Sequence, residues 1–153
     1  MSRMGDDFLK SSRKCILAVD DTAIVLTRIA DTLRNDYEVV TVNSGARALK
    51  YLSQERPDLI LLDIQMPTKD GIETLKEIRA KGLDDIPVIM LTGMENKSYV
   101  LESAKLGICD YILKPFSSED LLSRIRRVLE PDPDRFGRSL EDFEKLCEED
   151  GRR

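Results

Sequence analysis

The sequence predicts an α/β fold, a parallel sheet wound with helices on both faces, and three observations carry that expectation. Five short apolar, β-branched runs alternate with five stretches of helical spacing, the pattern of successive βαβ units. The central runs are apolar throughout rather than alternating, as in strands buried on both faces. Polar, chemistry-bearing residues stand at the carboxyl ends of four of the runs.

The elements follow in order. "CILAV" (15–19) is the first strand, and Val25, Ile29 and Leu33 mark the first helix. "YEVVTV" (37–42) is the second strand. Ser44 caps the second helix, whose inward stripe reads as Ala46, Leu49 and Leu52 or Ser53. "DLILL" (58–62) is the third strand, closed by Asp63, with a loop through Pro67 to Gly71. Asp70 and Glu73 form a capping box before the helix of Ile72, Leu75 and Ile78. "PVIML" (87–91) precedes the weakest helix, Tyr99 to Leu106, in which Val100 and Ala104 are the clear inward pair. "DYIL" (110–113) is the fifth strand. Ser117 and Asp120 open the strongest helix, carrying Leu121, Leu122, Ile125, Val128 and Leu129. Right-handed crossovers leave few arrangements of such units. One is the flavodoxin-like (βα)5 doubly wound sheet with strand order 2-1-3-4-5.

The ends differ from this domain of residues 14–130. Residues 1–13 read as a polar, flexible tail, and 131–138, "PDPDRFGR", as a stiff linker. "SLEDFEKLCEED" then restarts a short helix with Leu140, Phe143 and Cys147 on one stripe. The sequence is equally compatible with a complete chain and with one cut from a longer protein.

Composition narrows the function classes. With 153 residues there is room for one domain and some extra chain. A net charge of −5 argues against direct nucleic-acid binding. No apolar stretch approaches the roughly 20 residues of a membrane span, and the N-terminus lacks a signal-peptide core, so a cytoplasmic protein is expected. Cys15, Cys109 and Cys147 are too few and too scattered for a disulfide framework or a metal knuckle. The chain has no histidine, which removes Ser-His and Cys-His catalysis and any His-ligated zinc.

In an open parallel sheet, ligands bind beyond the carboxyl ends of the strands. Those ends carry Asp20 and Asp21, Asp63, Thr92 and Lys114. Each alone has an ordinary explanation: Asp21 as a helix cap, Thr92 as a turn residue, Lys114 as a surface lysine. Together, over strands about 4.8 Å apart, they assemble three carboxylates, one hydroxyl and one ammonium. Clustered carboxylates repel one another, and a hard divalent cation relieves this; an oxygen-only site suits Mg²⁺. A carboxylate between such a metal and a lysine is placed to attack phosphorus and hold an acyl phosphate. Asp63 is therefore the expected phosphoacceptor, with Thr92 and Lys114 stabilising phosphoryl oxygens.

On "VDD" (19–21), "LLDIQMP" (61–67), "LTG" (91–93) and "DYILKPF" (110–116), the chain resembles the CheY-like receiver domains of bacterial two-component response regulators. The resemblance implies that Asp20, Asp21, Asp63 and the backbone carbonyl of Gln65 hold Mg²⁺. It implies that Asp63 accepts phosphate, that Lys114 binds it, that Thr92 and Tyr111 form the switch, and that the Lys114–Pro115 bond is cis. Gln65 and Met94 fall at positions that tune the phosphoryl lifetime, and Ile108 stands where the family often has alanine. With no histidine of its own, such a domain takes its phosphoryl group from a sensor histidine kinase or phosphotransfer protein. It then acts on a downstream effector domain or protein through the surface of helix 4, strand 5 and helix 5, where a homodimer also forms in some cases. Arg124, Arg126 and Arg127 lie in that region, and their first expected role is to favour the fifth helix's C-terminus.

Two other readings compete. A haloacid-dehalogenase-type phosphohydrolase also uses a strand-end Asp, but needs a second acid two residues on, where this chain has Gln65. A degenerate receiver serving only as an interaction module would lack one of the chemical residues, and all are present.

Overall fold

The computed structural model describes residues 13–66, 69–93 and 97–130. The expectations placed on the 1–12 tail, Pro67, Met94, and the linker and helix of 131–153 lie outside the described residues.

The elements are β1 (Cys15–Val19), α1 (Ala23–Leu33), β2 (Glu38–Val42), α2 (Gly45–Leu52), β3 (Leu59–Asp63), α3 (Gly71–Ala80), β4 (Val88–Thr92), α4 (Lys97–Lys105), β5 (Asp110–Leu113) and α5 (Ser118–Leu129). All strand pairs are parallel, in the order β2-β1-β3-β4-β5. The predicted arrangement is the one observed.

Side-chain alternation divides the core between two faces. Leu17, Val19, Ile60, Leu62, Val88 and Met90 face α2, α3 and α4. Ile16, Ala18, Leu59, Leu61, Ile89 and Leu91 face Ile29 and Leu33 of α1 and Leu121 and Ile125 of α5. Every residue of β3 and β4 is buried, and each large aliphatic side chain removed from water contributes about 1.5–3 kcal/mol. That burial fixes the register, and so the positions of the strand ends.

The predicted caps are observed. Ser44 accepts from the Arg47 N–H, Asp70 from the Glu73 N–H and Ser117 from the Asp120 N–H. Other expectations need correction. β3 and β4 each run one residue further, so that Asp63 and Thr92 end their strands rather than follow them; Asp63 pairs with Leu91 and Thr92 with Leu113. The ladder uses only backbone groups and is indifferent to a polar side chain at its end. In α2 the buried residues are Gly45, Ala48 and Leu52, whereas Ala46 is exposed. In α4 they are Val100 and Ser103. Ala104 packs, partly buried, against the same core cluster, as expected; the buried Ser103 beside it is the unexpected inward residue, its hydroxyl satisfied by donating to the Tyr99 carbonyl at 2.8 Å.

Candidate functional site

The strand ends converge as their order requires. β1 delivers Asp20, which is fully buried, and Asp21, which is exposed. β3 delivers Asp63, only 3% exposed. Oxygens of Asp20, Asp21 and Asp63 all lie within 4.8 Å of one another. From the far side of β4, Lys114 places its Nζ 2.7 Å from Asp20 Oδ2 and 3.0 Å from Asp63 Oδ1. One ammonium thus bridges two buried carboxylates while a third stands beside them.

Backbone groups orient the acids. The Thr22 N–H donates to Asp20 Oδ1 at 2.9 Å, and the Gln65 N–H to Asp63 Oδ1 at 3.3 Å. Asp21 is not the cap of α1; Thr22 holds that position, without a side-chain capping bond. Thr92 is buried and its hydroxyl donates to the Gly93 carbonyl at 3.1 Å. The Lys114–Pro115 bond is cis.

Burial pushes the Asp63 carboxyl up to about 6; the neighbouring Asp20 adds to the rise, and Lys114 opposes it. For Lys114, burial disfavours the charge, but the hydrogen bonds and charges of Asp20 and Asp63 outweigh it and hold the ammonium above its ordinary range. The donor set is all oxygen, hard, and richer in carboxylates than its one lysine neutralises. It fits a hard divalent cation.

Tyr111 is 4% exposed and belongs to the core face that includes Val100 of α4. Its backbone is held in a way the sequence did not suggest. Asp110, itself buried, accepts from the Tyr111 N–H at 2.8 Å. Arg124 of α5 donates through Nη1 to Asp110 Oδ1 at 2.9 Å and to the Tyr111 carbonyl at 3.0 Å. Its Nε donates to Asp120 at 3.0 Å. Arg124 is therefore a partner of a buried acid on the edge strand, not a residue whose first role is to complement the helix dipole. Arg126 and Arg127 do sit in the last turn, as expected for that role. A second feature missed was Phe116, buried beneath the Arg28 guanidinium at 5.3 Å. A cation–aromatic pair so distant in sequence leaves no local signal.

Known proteins show the family and the fold. The model of the response regulator receiver domain family matches residues 16–126. This chain belongs to that family. It is 40% identical over 115 residues to response regulator MprA of Mycobacterium leprae, covering 74% of this chain and 50% of that protein. It is 38% identical over 117 residues to the alkaline phosphatase synthesis transcriptional regulatory protein PhoP of Bacillus subtilis, covering 76% and 48%. The chain thus spans about half the length of the curated relatives it matches. The chemotaxis response regulator CheY4 of Vibrio cholerae superimposes with a TM-score of 0.72 at 33% identity, over 76% of this chain and 99% of that one. As a receiver domain of two-component systems, the chain is a regulatory domain. No helix among the described residues is long and apolar enough to cross a membrane.

Proposed function

We propose that Asp63 accepts a phosphoryl group from a phosphohistidine on a sensor kinase or phosphotransfer protein, and that its occupancy switches the surface of α4, β5 and α5. The observation that carries this reading is the meeting of Asp20, Asp21 and Asp63 within 4.8 Å under the Lys114 bridge. An Asp63 carboxylate oxygen attacks phosphorus, the phosphorus–nitrogen bond breaks, and the electron pair leaves with the imidazole. Asp20, Asp21, Asp63 and the Gln65 carbonyl would hold Mg²⁺, which when bound neutralises charge on the transferring phosphoryl oxygens. Lys114 supplies the second cation, and its contact with Asp63 holds it where phosphoryl oxygens will lie. Thr92 gives up its bond to the Gly93 carbonyl and donates to one of them. The ring of Tyr111 is already buried in this structure, so that bond would hold an existing arrangement rather than build one.

The domain catalyses only its own phosphorylation and dephosphorylation. Gln65 in place of a second acid argues against a phosphohydrolase acting on other substrates, and the complete residue set argues against a degenerate module. The partners proposed are the phosphodonor and a downstream effector domain or protein, with no direct contact to nucleic acid or membrane by residues 14–130, in the cytoplasm. A homodimer through the α4–β5–α5 surface is compatible with the reading.

Incubation with Mg²⁺ and acetyl phosphate should add one phosphoryl group, mapped to Asp63, in an acid-stable, base-labile linkage. Label taken up by Asp63→Asn at the wild-type rate would overturn the assignment. Steady hydrolysis of unrelated phosphate esters would favour the phosphohydrolase instead.

A further inference from the structure

Gly71 opens α3, is buried, and donates its N–H to the Ile64 carbonyl at 2.8 Å. Its φ lies outside the left-handed region occupied by Gly82 and Gly107, so conformational freedom does not explain a glycine here. Space does. A β-carbon at this position would stand 2.1 Å from the carbonyl oxygen of Asp63, and 2.9 Å from both its carbonyl carbon and the Ile64 Cα. All three are backbone atoms, and none can swing aside.

Neither side can yield freely. The Ile64 N–H donates to the Leu91 carbonyl at 3.0 Å, which ties the peptide after Asp63 to β4. On the other side α3 is anchored by buried Ile72, Leu75 and Ile78. Gly45 offers an instructive contrast. A β-carbon there would also meet an atom at 2.1 Å, but that atom is the Thr74 side-chain hydroxyl, not backbone of the acceptor strand.

We propose that Gly71 is a positioning residue for the acceptor. The volume its missing side chain leaves is where the Asp63 peptide sits, and any β-carbon there displaces the Asp63 carboxylate from Asp20 and Lys114. This inference rests on the reading of Asp63 as phosphoacceptor. It predicts a loss that tracks geometry rather than stability, because misplacing reacting groups by about an ångström costs up to about a hundredfold in rate.

The test compares Gly71→Ala and Gly45→Ala in the full chain. Phosphorylation of Asp63 by acetyl phosphate and Mg²⁺ is measured per folded molecule, and amide spectra are recorded without metal. Gly71→Ala should slow phosphorylation by about tenfold to a hundredfold and shift the metal-free amides of Asp63, Ile64 and Gln65. Gly45→Ala should leave both close to wild type, whatever its stability. Trimethylamine N-oxide restores the folded population of a weakened variant. A Gly71→Ala chain that phosphorylates at the wild-type rate, or does not fold even with the osmolyte, refutes a positioning role. So does a loss shared equally by both variants. Should the wild type itself take no label, the acceptor reading fails, while the metal-free shifts still report whether Gly71 places Asp63.

Discussion

Replacing Asp63 by asparagine should make the metal-free protein more stable at neutral pH. Asp63 is buried beside Asp20, with Lys114 shared between them, and its carboxyl is raised from an ordinary 3.8 to about 6. A group raised in this way favours the folded state below its unfolded value. That advantage is lost as pH rises through the folded value. Below about pH 4, Asp63 is neutral in both states and imposes no penalty. Above about pH 7 it is ionised in both, and the folded protein bears the full cost. At about 1.4 kcal/mol per pH unit, the interval corresponds to about 3 kcal/mol. Asparagine removes that cost and keeps an oxygen that can accept from Lys114 and the Gln65 N–H. The pull of Lys114 is already contained in that interval; the amide NH2 that replaces one carboxylate oxygen needs a new acceptor, so the net gain should be about 1–3 kcal/mol.

The chain has no tryptophan, so urea unfolding is followed by far-ultraviolet circular dichroism, with EDTA present. Asp63→Asn should exceed wild type by that margin at pH 7.5, and the difference should close toward pH 4. Mg²⁺ at ten times its dissociation constant should stabilise wild type by about 1.4 kcal/mol, and Asp63→Asn by less, narrowing the gap. A variant less stable than wild type at pH 7.5, or a gain unchanged between pH 4 and pH 7.5, would refute the account of the site as three carboxylates short of cations.

Thr92→Ala should leave Asp63 able to bind beryllofluoride, yet amide shifts across α4 and β5 should respond much less than in wild type. Equal responses would mean that the signal travels another way. Asp21→Ala should fold normally and lose Mg²⁺-dependent phosphorylation; an unchanged Mg²⁺ affinity would remove the acid pair from the metal site. Arg124→Leu leaves the buried Asp110 without its guanidinium and should cost about 3 kcal/mol, the lower end for a broken buried pair because Arg124 is partly exposed. Adding Asp110→Asn to Arg124→Leu should recover part of that loss in the same unfolding assay, and a double variant weaker than the single would show that the pair is not the source.

Much of this was legible because it depends on local chemistry. Leu59 to Leu62 could only be a strand buried on both faces, and an apolar run that ends in an acid marks a strand end. Ser44, Asp70 and Ser117 are short side chains that cap through bonds three residues away, a distance a sequence displays. The failures share a different cause. Gly45 and Ala48 line the inward face of α2 where it meets α3, and residues this small carry no hydrophobic signal. The apolar pattern offers Ala46 the inward place as readily as Ala48, and only packing against α3 decides between them, leaving Ala46 exposed. Ser103 satisfies its own hydroxyl within α4, which no hydrophobic periodicity can register. Arg124 reaches from α5 to the edge of β5, so its partner depends on packing rather than on spacing. Lys114 was placed correctly by its strand end, but its bridge to Asp20 as well as Asp63 depends on a side-chain conformation that only the assembled site selects.

The Arg124 network bears on how a signal could leave the site. β5 is an edge strand, so the peptide groups of Tyr111 not used by the β4 ladder need partners elsewhere. Asp110 takes its N–H and Arg124 its carbonyl, which fastens the backbone of Tyr111 to α5. A strand held in this way resists sliding, and the Tyr111 ring, already buried, lies on the face shared with α4. That helix buries only Val100 and Ser103 among its described residues. α3, by contrast, buries Gly71, Ile72, Thr74, Leu75 and Ile78. Elements with few buried contacts open at the lowest free energy. The rigid side of the switch surface is therefore the β5–α5 edge, pinned by a buried ion pair, and the compliant side is α4. On the proposed role of Thr92, its contact with the phosphoryl group would need to shift only that compliant side for phosphorylation to be read on the surface.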